Sequence, residues 1–313
     1  MFHYENGLKI TALDLAVDFT RRQPRGFISH AHVDHMARHE LAFCTPTTAK
    51  LYQFRFGNRL CRPMPYGEIM DWQGIRLSTH PAGHVLGSAM LLVDDGRERL
   101  LYTGDFKLGE SATAEAADPP RADILVMEST YGDPFYRLPP RQQSIAKLID
   151  IVQSAIAAGR TPVIQVYVLG KAQEVTRILT SAGIRVLQHP LVYEISRIYS
   201  ACHCDLGDYA LYSPDEIEGA AVVAPPRSQK QARLPGLIDP TTISVTGWAH
   251  NTGARRGFGF RTDHAVPLSD HADYNDLLYC IERVQPKTIY CTHGPKSFAE
   301  HLRGLGHDAR LLA

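Results

Sequence analysis

The chain has no excess of either charge. Among its 313 residues, 33 Lys and Arg balance 33 Asp and Glu, so a whole-molecule field cannot recruit a polyanion and any such binding must be local. No apolar run approaches the ~20 residues that a membrane span needs. The N-terminus, MFHYENGLKI, lacks the basic start and apolar stretch of a signal peptide. A cytoplasmic protein with no membrane contact is therefore expected. Cys44, Cys61, Cys202, Cys204, Cys280 and Cys291 are too scattered for the disulfide framework of a small secreted domain. Cys202 and Cys204 flank His203, but that spacing is too tight for a standard zinc pair and no second pair follows. Internal repeats and low-complexity tracts are missing as well. The remaining composition, 44% hydrophobic and 21% charged, is that of a globular chain with apolar content for one large domain or two modest ones.

The first part reads as short strands. RGFISH, LAFCT, GEIMDW, IRLSTH, AMLLVDD, RLLYTG and DILVME are β-rich runs bounded by Gly, Pro or Asp. Gln73-Gly74 and Asp95-Gly96 fit hairpin turns. After PFYRLPP the pattern changes. Ile145, Leu148, Ile149, Val152 and Ile156 recur at helical spacing up to Gly159, and PVIQVYV, KAQEVTRILTSAG, IRVLQ and YEISRIYSA then alternate strand and helix. This predicts a small parallel sheet with flanking helices. AAVVAPP and TISVTGW add two strands around the basic loop RSQKQARLPG. The last fifty residues hold a histidine-bearing loop, the helix YNDLLYCIERV, the strand KTIYCTHG and a short helix FAEHLRGLG.

The chemistry-bearing stretch is FISHAHVDHM. His30 and His32 are two apart and project to one side of an extended chain. Asp34 and His35 follow, where a turn into a helix ending near His39 is expected. Such a turn offers two imidazoles to one metal and a carboxylate with an imidazole to a second. These donors suit zinc, and also manganese or iron. A single HxH is more often an ordinary polar turn, but four such residues in six positions after a strand favour ligation. His84 in THPAGHVLGSAM, Asp105 in LLYTGDF and His293 in YCTHGP each follow or precede a β-run in the same manner. Singly each is an ordinary turn residue; jointly they form a set, with Asp105 placed to bridge two metals.

HAHVDH, AGHVLGSA, YTGDF and the closing THG resemble the ligand motifs of the metallo-β-lactamase fold. ESTYGD, PLSDHADY, YCTHG and VLGKAQEV are similar to motifs of its nucleic-acid branch, the β-CASP nucleases, and the short length with the WAHNTG–PLSDHADY tail looks most like the bacterial ligase-associated DNA exonucleases. The resemblance covers nearly the whole chain. It implies an α/β fold: a metallo-β-lactamase αββα sandwich over 1–134 and 263–313, split by a smaller α/β β-CASP cassette over 135–262. It implies two divalent metal ions, one on His30, His32 and His84 and one on Asp34, His35 and His293, bridged by Asp105. Asp18 matches a strand-end aspartate that orients the ligand loop, with Asp14 a competitor on sequence alone. Asp34, Glu128 and His271 carry the implied catalysis. Two metals lower the pKa of a water for in-line attack at phosphorus, His271 is the general acid, and Glu128 orients it.

The resemblance further implies a nucleic-acid substrate, with the cassette capping the metal cleft. Local basic groups fit phosphate contacts: Arg21, Arg22 and Arg25; Arg227, Lys230 and Arg233; Arg255, Arg256 and Arg261; and Lys171 at a helix start. Each cluster singly is more often a solvated face. DNA is favoured over RNA because core and cassette consume the chain, leaving no room for an RNA-binding domain. That suggests an exonuclease in DNA repair, with a DNA ligase and other repair proteins as partners. An RNA-processing nuclease is the alternative. A catalytically inactive scaffold and a small-molecule hydrolase are disfavoured by the full ligand set and by the cassette with Glu128 and His271. Tyr131 is expected to pack rather than stack a terminal base, and His80 and His264, though close in sequence to the site, are more often surface or core-edge groups than its supports.

Overall fold

A computed structural model describes residues 1–226, 234–250 and 262–312. The chain divides into two compact units, Met1–Arg137 with His271–Ala313, and Leu138–Asp270. The first sheet runs in chain order through β1 (Phe2–Tyr4), β2 (Leu8–Ile10), β3 (Leu15–Val17), β4 (Arg25–Phe27), β5 (Leu41–Cys44) and β6 (Cys61–Pro63), with helix α1 (Pro46–Phe56) between the last two. β3 to β6 are mutually parallel. The second sheet begins with β7 (Ile69–Trp72), β8 (Ile75–Pro81), β9 (Ala89–Asp94), β10 (Arg99–Tyr102) and β11 (Ile124–Glu128). Gln73 and Gly74 both take positive φ, 54° and 77°, the conformation that a two-residue hairpin requires.

The second unit consists of α2 (Arg141–Ala157), β12 (Pro162–Gln165), α3 (Lys171–Ser181), β13 (Val186–Gln188), α4 (Pro190–Ala201), β14 (Tyr209–Leu211), β15 (Ala221–Ala224), β16 (Thr241–Val245) and β17 (His264–Val266). Its strands form one all-parallel sheet in the order β14-β13-β15-β12-β16-β17. β17 pairs with β16 through Ile243↔His264, so the unit ends at Asp270 and not at the expected residue 262.

The chain then returns to the first unit with α5 (Tyr274–Val284), β18 (Thr288–Thr292), α6 (Lys296–Gly304) and β19 (Ala309–Leu311), giving the sheet order β19-β18-β11-β10-β9-β8-β7. Period-two alternation sorts its side chains onto two faces. Leu91, Val93, Leu100, Tyr102 and Val126 pack against Leu8, Ile10, Leu15, Phe27 and Phe43 of the first sheet. Met90, Leu92, Leu101, Leu125 and Met127 pack against Leu277, Ile281 and Val284 of α5 and Phe298 and Leu302 of α6. Two stacked sheets with helices outside them make the αββα sandwich.

One local expectation fails. No helix follows HAHVDH: residues 28–40 are turns and irregular loop. The helix comes later, as α1, where Thr45 accepts a hydrogen bond from Thr48 N at 3.2 Å and Pro46 occupies the first turn, as helix N-termini favour.

The topology places the chemistry. β8, β10, β11 and β18 run in one direction within their sheet, and His84, Asp105, Glu128 and His293 stand at or just beyond their C-terminal ends. Asp18 and His30 stand just beyond β3 and β4. Gly294 lets two of these ends cross. A Cβ there would lie 1.9 Å from Ser129 O, so the residue after His293 must lack a side chain.

Candidate metal centre

Asp18 organises the ligand loop. Its φ is +50°, a conformation held only where surrounding contacts impose it. Oδ1 accepts from Ser29 N at 2.7 Å. Oδ2 accepts from Ser29 Oγ at 2.5 Å, His35 Nδ1 at 2.8 Å and Tyr102 Oη at 2.8 Å. Asp14 instead sits on the surface against Lys9 Nζ at 3.2 Å. Because Ser29 spends its hydroxyl proton on Asp18, the 2.9 Å contact between Ser29 Oγ and His30 Nδ1 puts the imidazole proton of His30 on Nδ1. Nε2 of His30 then faces the site as a lone pair. His35 also donates its Nδ1 proton to Asp18.

Three imidazoles converge. His30 Nε2 lies 3.0 Å from His32 Nδ1, and His84 Nε2 lies 3.1 Å from that same Nδ1. One proton on His32 Nδ1 can serve only one of these contacts, so a nitrogen lone pair faces another unless an electrophile sits among them. Burial, followed by the proximity of His35, His84 and His32, holds the His30 pKa well below that of an ordinary imidazole, the neutral state that a ligand needs.

Asp105 joins this group to a second. Oδ2 lies 3.6 Å from His30 Nε2, 3.3 Å from His35 Nε2 and 3.9 Å from His84 Nε2. Oδ1 is buried without a hydrogen bond among the described residues, with His293 Nδ1 at 3.6 Å. Burial works against a charged Asp105, but the charge of His35 and contacts from His293 outweigh it and hold the carboxyl well below the usual range. Burial likewise opposes protonation of His35, and Asp105 and Asp18 overcome it and raise its pKa well above 6.5. Two groups result: His30, His32, His84 and Asp105, and His35, Asp105 and His293. An orphaned buried carboxylate oxygen amid nitrogen lone pairs fits divalent cations. Asp34 is exposed and belongs to neither group.

Beside them, Glu128 is 1% exposed with every acceptor position used. Oε1 accepts from Phe106 N at 3.0 Å and His271 Nδ1 at 2.8 Å; Oε2 accepts from Thr130 N at 3.2 Å and Thr130 Oγ1 at 2.5 Å. The His271 proton therefore sits on Nδ1, and its ring stands 4.6 Å from that of His84, centroid to centroid. The loop of His84 has its own supports. Ser88 Oγ accepts from His84 N at 3.1 Å, Glu115 Oε2 accepts from Gly87 N at 3.0 Å, and Gly87 O accepts from Thr45 Oγ1 at 2.6 Å. Of these supports Ser88, Tyr102 and Thr130 lie inside AGHVLGSA, YTGDF and ESTYGD and Ser29 adjoins HAHVDH; Glu115 lies in no recognisable motif.

His39 closes the ligand loop. Its ring fills the place where Gly26 has no Cβ, 2.4 Å from where one would stand. Nδ1 accepts from Gln23 N at 3.2 Å, and burial, partly offset by Asp18, depresses its pKa to about 4. Unfolded imidazole titrates near ~6.5, so the stability contributed by neutral His39 is complete above that value and drains away as pH falls towards 4. Urea unfolding midpoints should drop between pH 7.5 and 5, and His39→Gln should make the drop shallower.

Other expected residues are not part of the centre. Lys171 is 1% exposed, with Nζ on Glu174 Oε2 at 2.8 Å and near Asp270 Oδ1 at 3.8 Å, so its ammonium neutralises carboxylates. Arg22 pairs with Glu40 at 3.2 Å and Arg25 lies over the Trp72 ring. Arg227, Lys230, Arg233, Arg255, Arg256 and Arg261 lie outside the described residues. Tyr131 is buried against Tyr136. His80 bonds Ser78 and His264 is exposed on β17; neither enters the groups above. Among the described residues, no helix is long and apolar enough to cross a membrane.

Residues 263–311 match a family described as the Zn-dependent metallo-hydrolase RNA specificity domain. A protein of Opitutus terrae named probable DNA ligase is 36% identical over 310 residues, covering 98% of this chain and 30% of its own length. Transcription termination factor FttA of Methanothermobacter thermautotrophicus is 42% identical over 121 residues, 37% of this chain and 19% of that protein. Endoribonuclease ysh1 of Schizosaccharomyces pombe is 36% identical over 116 residues, 36% of this chain and 15% of that protein. The chain thus spans less than a third of the length of each of these relatives.

Proposed function

Because the chain belongs to the metallo-β-lactamase β-CASP family, we propose that it is a metal-dependent phosphodiesterase that degrades DNA from its ends during repair. The observation that carries this is the Glu128–His271 pair, hydrogen-bonded at 2.8 Å beside the Asp105-centred imidazoles. A metallo-hydrolase of small activated substrates has no need of such a proton donor, whereas an alkoxide leaving group does.

Two divalent ions, zinc by preference with manganese or iron as substitutes, supply nucleophile activation and charge neutralisation at phosphorus when bound. His30, His32, His84 and Asp105 would hold one ion and His35, Asp105 and His293 the other, with Asp34 the further ligand that its motif implies. Asp18 fixes the tautomer of His35 and, through Ser29, that of His30. Glu128 anchors His271 at Nδ1 and stabilises its cationic form, so that His271 passes its Nε2 proton to the departing oxygen.

DNA as substrate, and a DNA ligase as partner, rest on similarity along 98% of the chain to a protein named for DNA ligation. The same similarity and the ligase-associated resemblance favour exonuclease action. RNA is the second reading, favoured by the RNA specificity description of residues 263–311. Metal-loaded protein should release mononucleotides from end-labelled DNA strands faster than from RNA of the same sequence. Cleavage of RNA alone would replace the first reading by the second.

A further inference from the structure

One surface of the first unit gathers arginines that meet no carboxylate among the described residues. Between Glu40 and Glu68 the chain holds Lys50, Arg55, Arg59 and Arg62 and no acidic residue, although its charges balance overall. Arg38, Arg55 and Arg62 are exposed, and none of Arg38, Arg55, Arg59 and Arg62 forms an ion pair with a described residue. Arginines elsewhere in the same unit do. Arg22, Arg76, Arg283 and Arg310 lie 3.2, 2.7, 3.2 and 2.9 Å from Glu40, Asp94, Asp118 and Asp308.

Phe56, in the last turn of α1, is the centre of the group. The Arg38 guanidinium lies over its ring, 5.6 Å from the centroid. Arg59 Nε donates to its carbonyl at 3.2 Å, and Arg55 precedes it in the helix. Gln53 Nε2 donates to the Arg59 carbonyl at 2.9 Å, which folds the turn after α1 back on the helix and leads to Arg62 in β6. Phe54 and Leu60 are exposed within the same segment.

We propose that this α1–β6 surface, through Arg38, Arg55, Arg59, Arg62 and Phe54, binds the single-stranded DNA that continues past the metal centre. The identity of the strand rests on the nuclease reading; the binding does not. Cations gathered without acids repel one another, and a polyanion relieves that repulsion while shedding its own condensed counterions. An exposed aromatic ring among them offers base faces a platform, a combination that tracks single strands without reading their sequence. Guanidinium groups suit phosphate oxygens by their paired donors.

The position of α1 favours a nucleic-acid strand over an acidic peptide. Tyr52 Oη donates to Ala37 O at 2.8 Å, two residues after His35. Thr45 Oγ1 and Thr48 Oγ1 donate to Gly87 O at 2.6 and 2.9 Å, in the turn that presents His84. The helix is thus fixed to both ligand loops. At 1.5 Å per residue, Arg55 stands only about 10 Å further along it than Thr48. A strand at the stacked spacing of ~3.4 Å per phosphate covers such a length in a few nucleotides.

The test follows the full chain binding a fluorescein-labelled, twenty-nucleotide deoxythymidine strand by anisotropy across salt concentrations, in chelator so that nothing is cut. Combining Arg38→Gln, Arg55→Gln and Arg62→Gln should weaken binding at low salt at least roughly tenfold. It should also flatten the slope of log K against log salt by about 2, since each phosphate contact on a single strand contributes ~0.7. Combining Arg76→Gln, Arg283→Gln and Arg310→Gln removes the same charge from paired arginines and should change affinity far less. Phe54→Ala should weaken binding about fivefold or more while leaving an abasic strand of equal length bound as by the parent. Parental affinity and slope in the first triple variant, or an equal loss in the second, would overturn the binding surface. A polyglutamate peptide bound as tightly as the strand, or losses confined to a ribonucleotide strand, would overturn DNA as its occupant. Failure of the metal-loaded parent to hydrolyse the strand would count against the nuclease reading alone.

Discussion

Asp105→Ala should lower nuclease turnover by at least roughly a thousandfold and strip metal from an otherwise folded protein. Oδ2 of this carboxylate approaches His30, His35 and His84 within 3.3–3.9 Å, and Oδ1 faces His293 at 3.6 Å. No other described side chain belongs to both imidazole groups. Removing it leaves two nitrogen clusters with no shared negative charge, and His35 keeps only Asp18 as a carboxylate partner. Metal content after gel filtration, by mass spectrometry of the eluted protein, should fall below that of the parent. The fold should persist because β10 is held by Leu100 and Leu101 in the two cores on its faces. A variant with parental metal content and turnover would show that Asp105 is an ordinary buried acid.

His271→Ala should behave differently. It should cost roughly 10²–10⁴ in turnover with metal content unchanged, because His271 is anchored on Glu128 and is a member of neither the His30–His32–His84–Asp105 nor the His35–Asp105–His293 group. A general acid must be protonated to act, so the variant should lose the decline in rate on the high-pH side. A nitrophenyl phosphodiester, whose leaving group needs no proton, should be cleaved by variant and parent at similar rates. Equal losses on DNA and on the nitrophenyl ester would assign His271 to substrate positioning instead. Glu128→Gln should follow His271→Ala in direction, since an amide holds the ring without stabilising its cationic form.

How far these residues could be read from the sequence depended on what held them. HAHVDH, His84, Asp105 and His293 were legible because ligand chemistry restricts residue type and strand ends restrict place. Which atoms support them was not, because partner choice is made by the fold across long separations. Tyr102 reaches Asp18 over 84 residues, and Thr130 reaches the His293 carbonyl over 163. β1 to β3 are three residues each, too short for an alternating pattern to declare itself. α1 has no clean apolar stripe, burying Thr48, Ala49, Leu51 and Tyr52 in a row broken only by Lys50, so its pattern does not declare a helix. Lys171, expected at a phosphate, is buried against Glu174, one turn on in the same helix. Asp34 follows its motif in sequence while its carboxylate stands outside the imidazole groups.

The most direct measurement is a zinc titration of chelator-stripped protein, with bound metal and hydrolysis of labelled DNA followed in the same samples. Binding should saturate at two ions per chain, and hydrolysis should rise with the second. Saturation at one ion with full turnover, or undiminished hydrolysis by the stripped protein in excess chelator, would contradict the account.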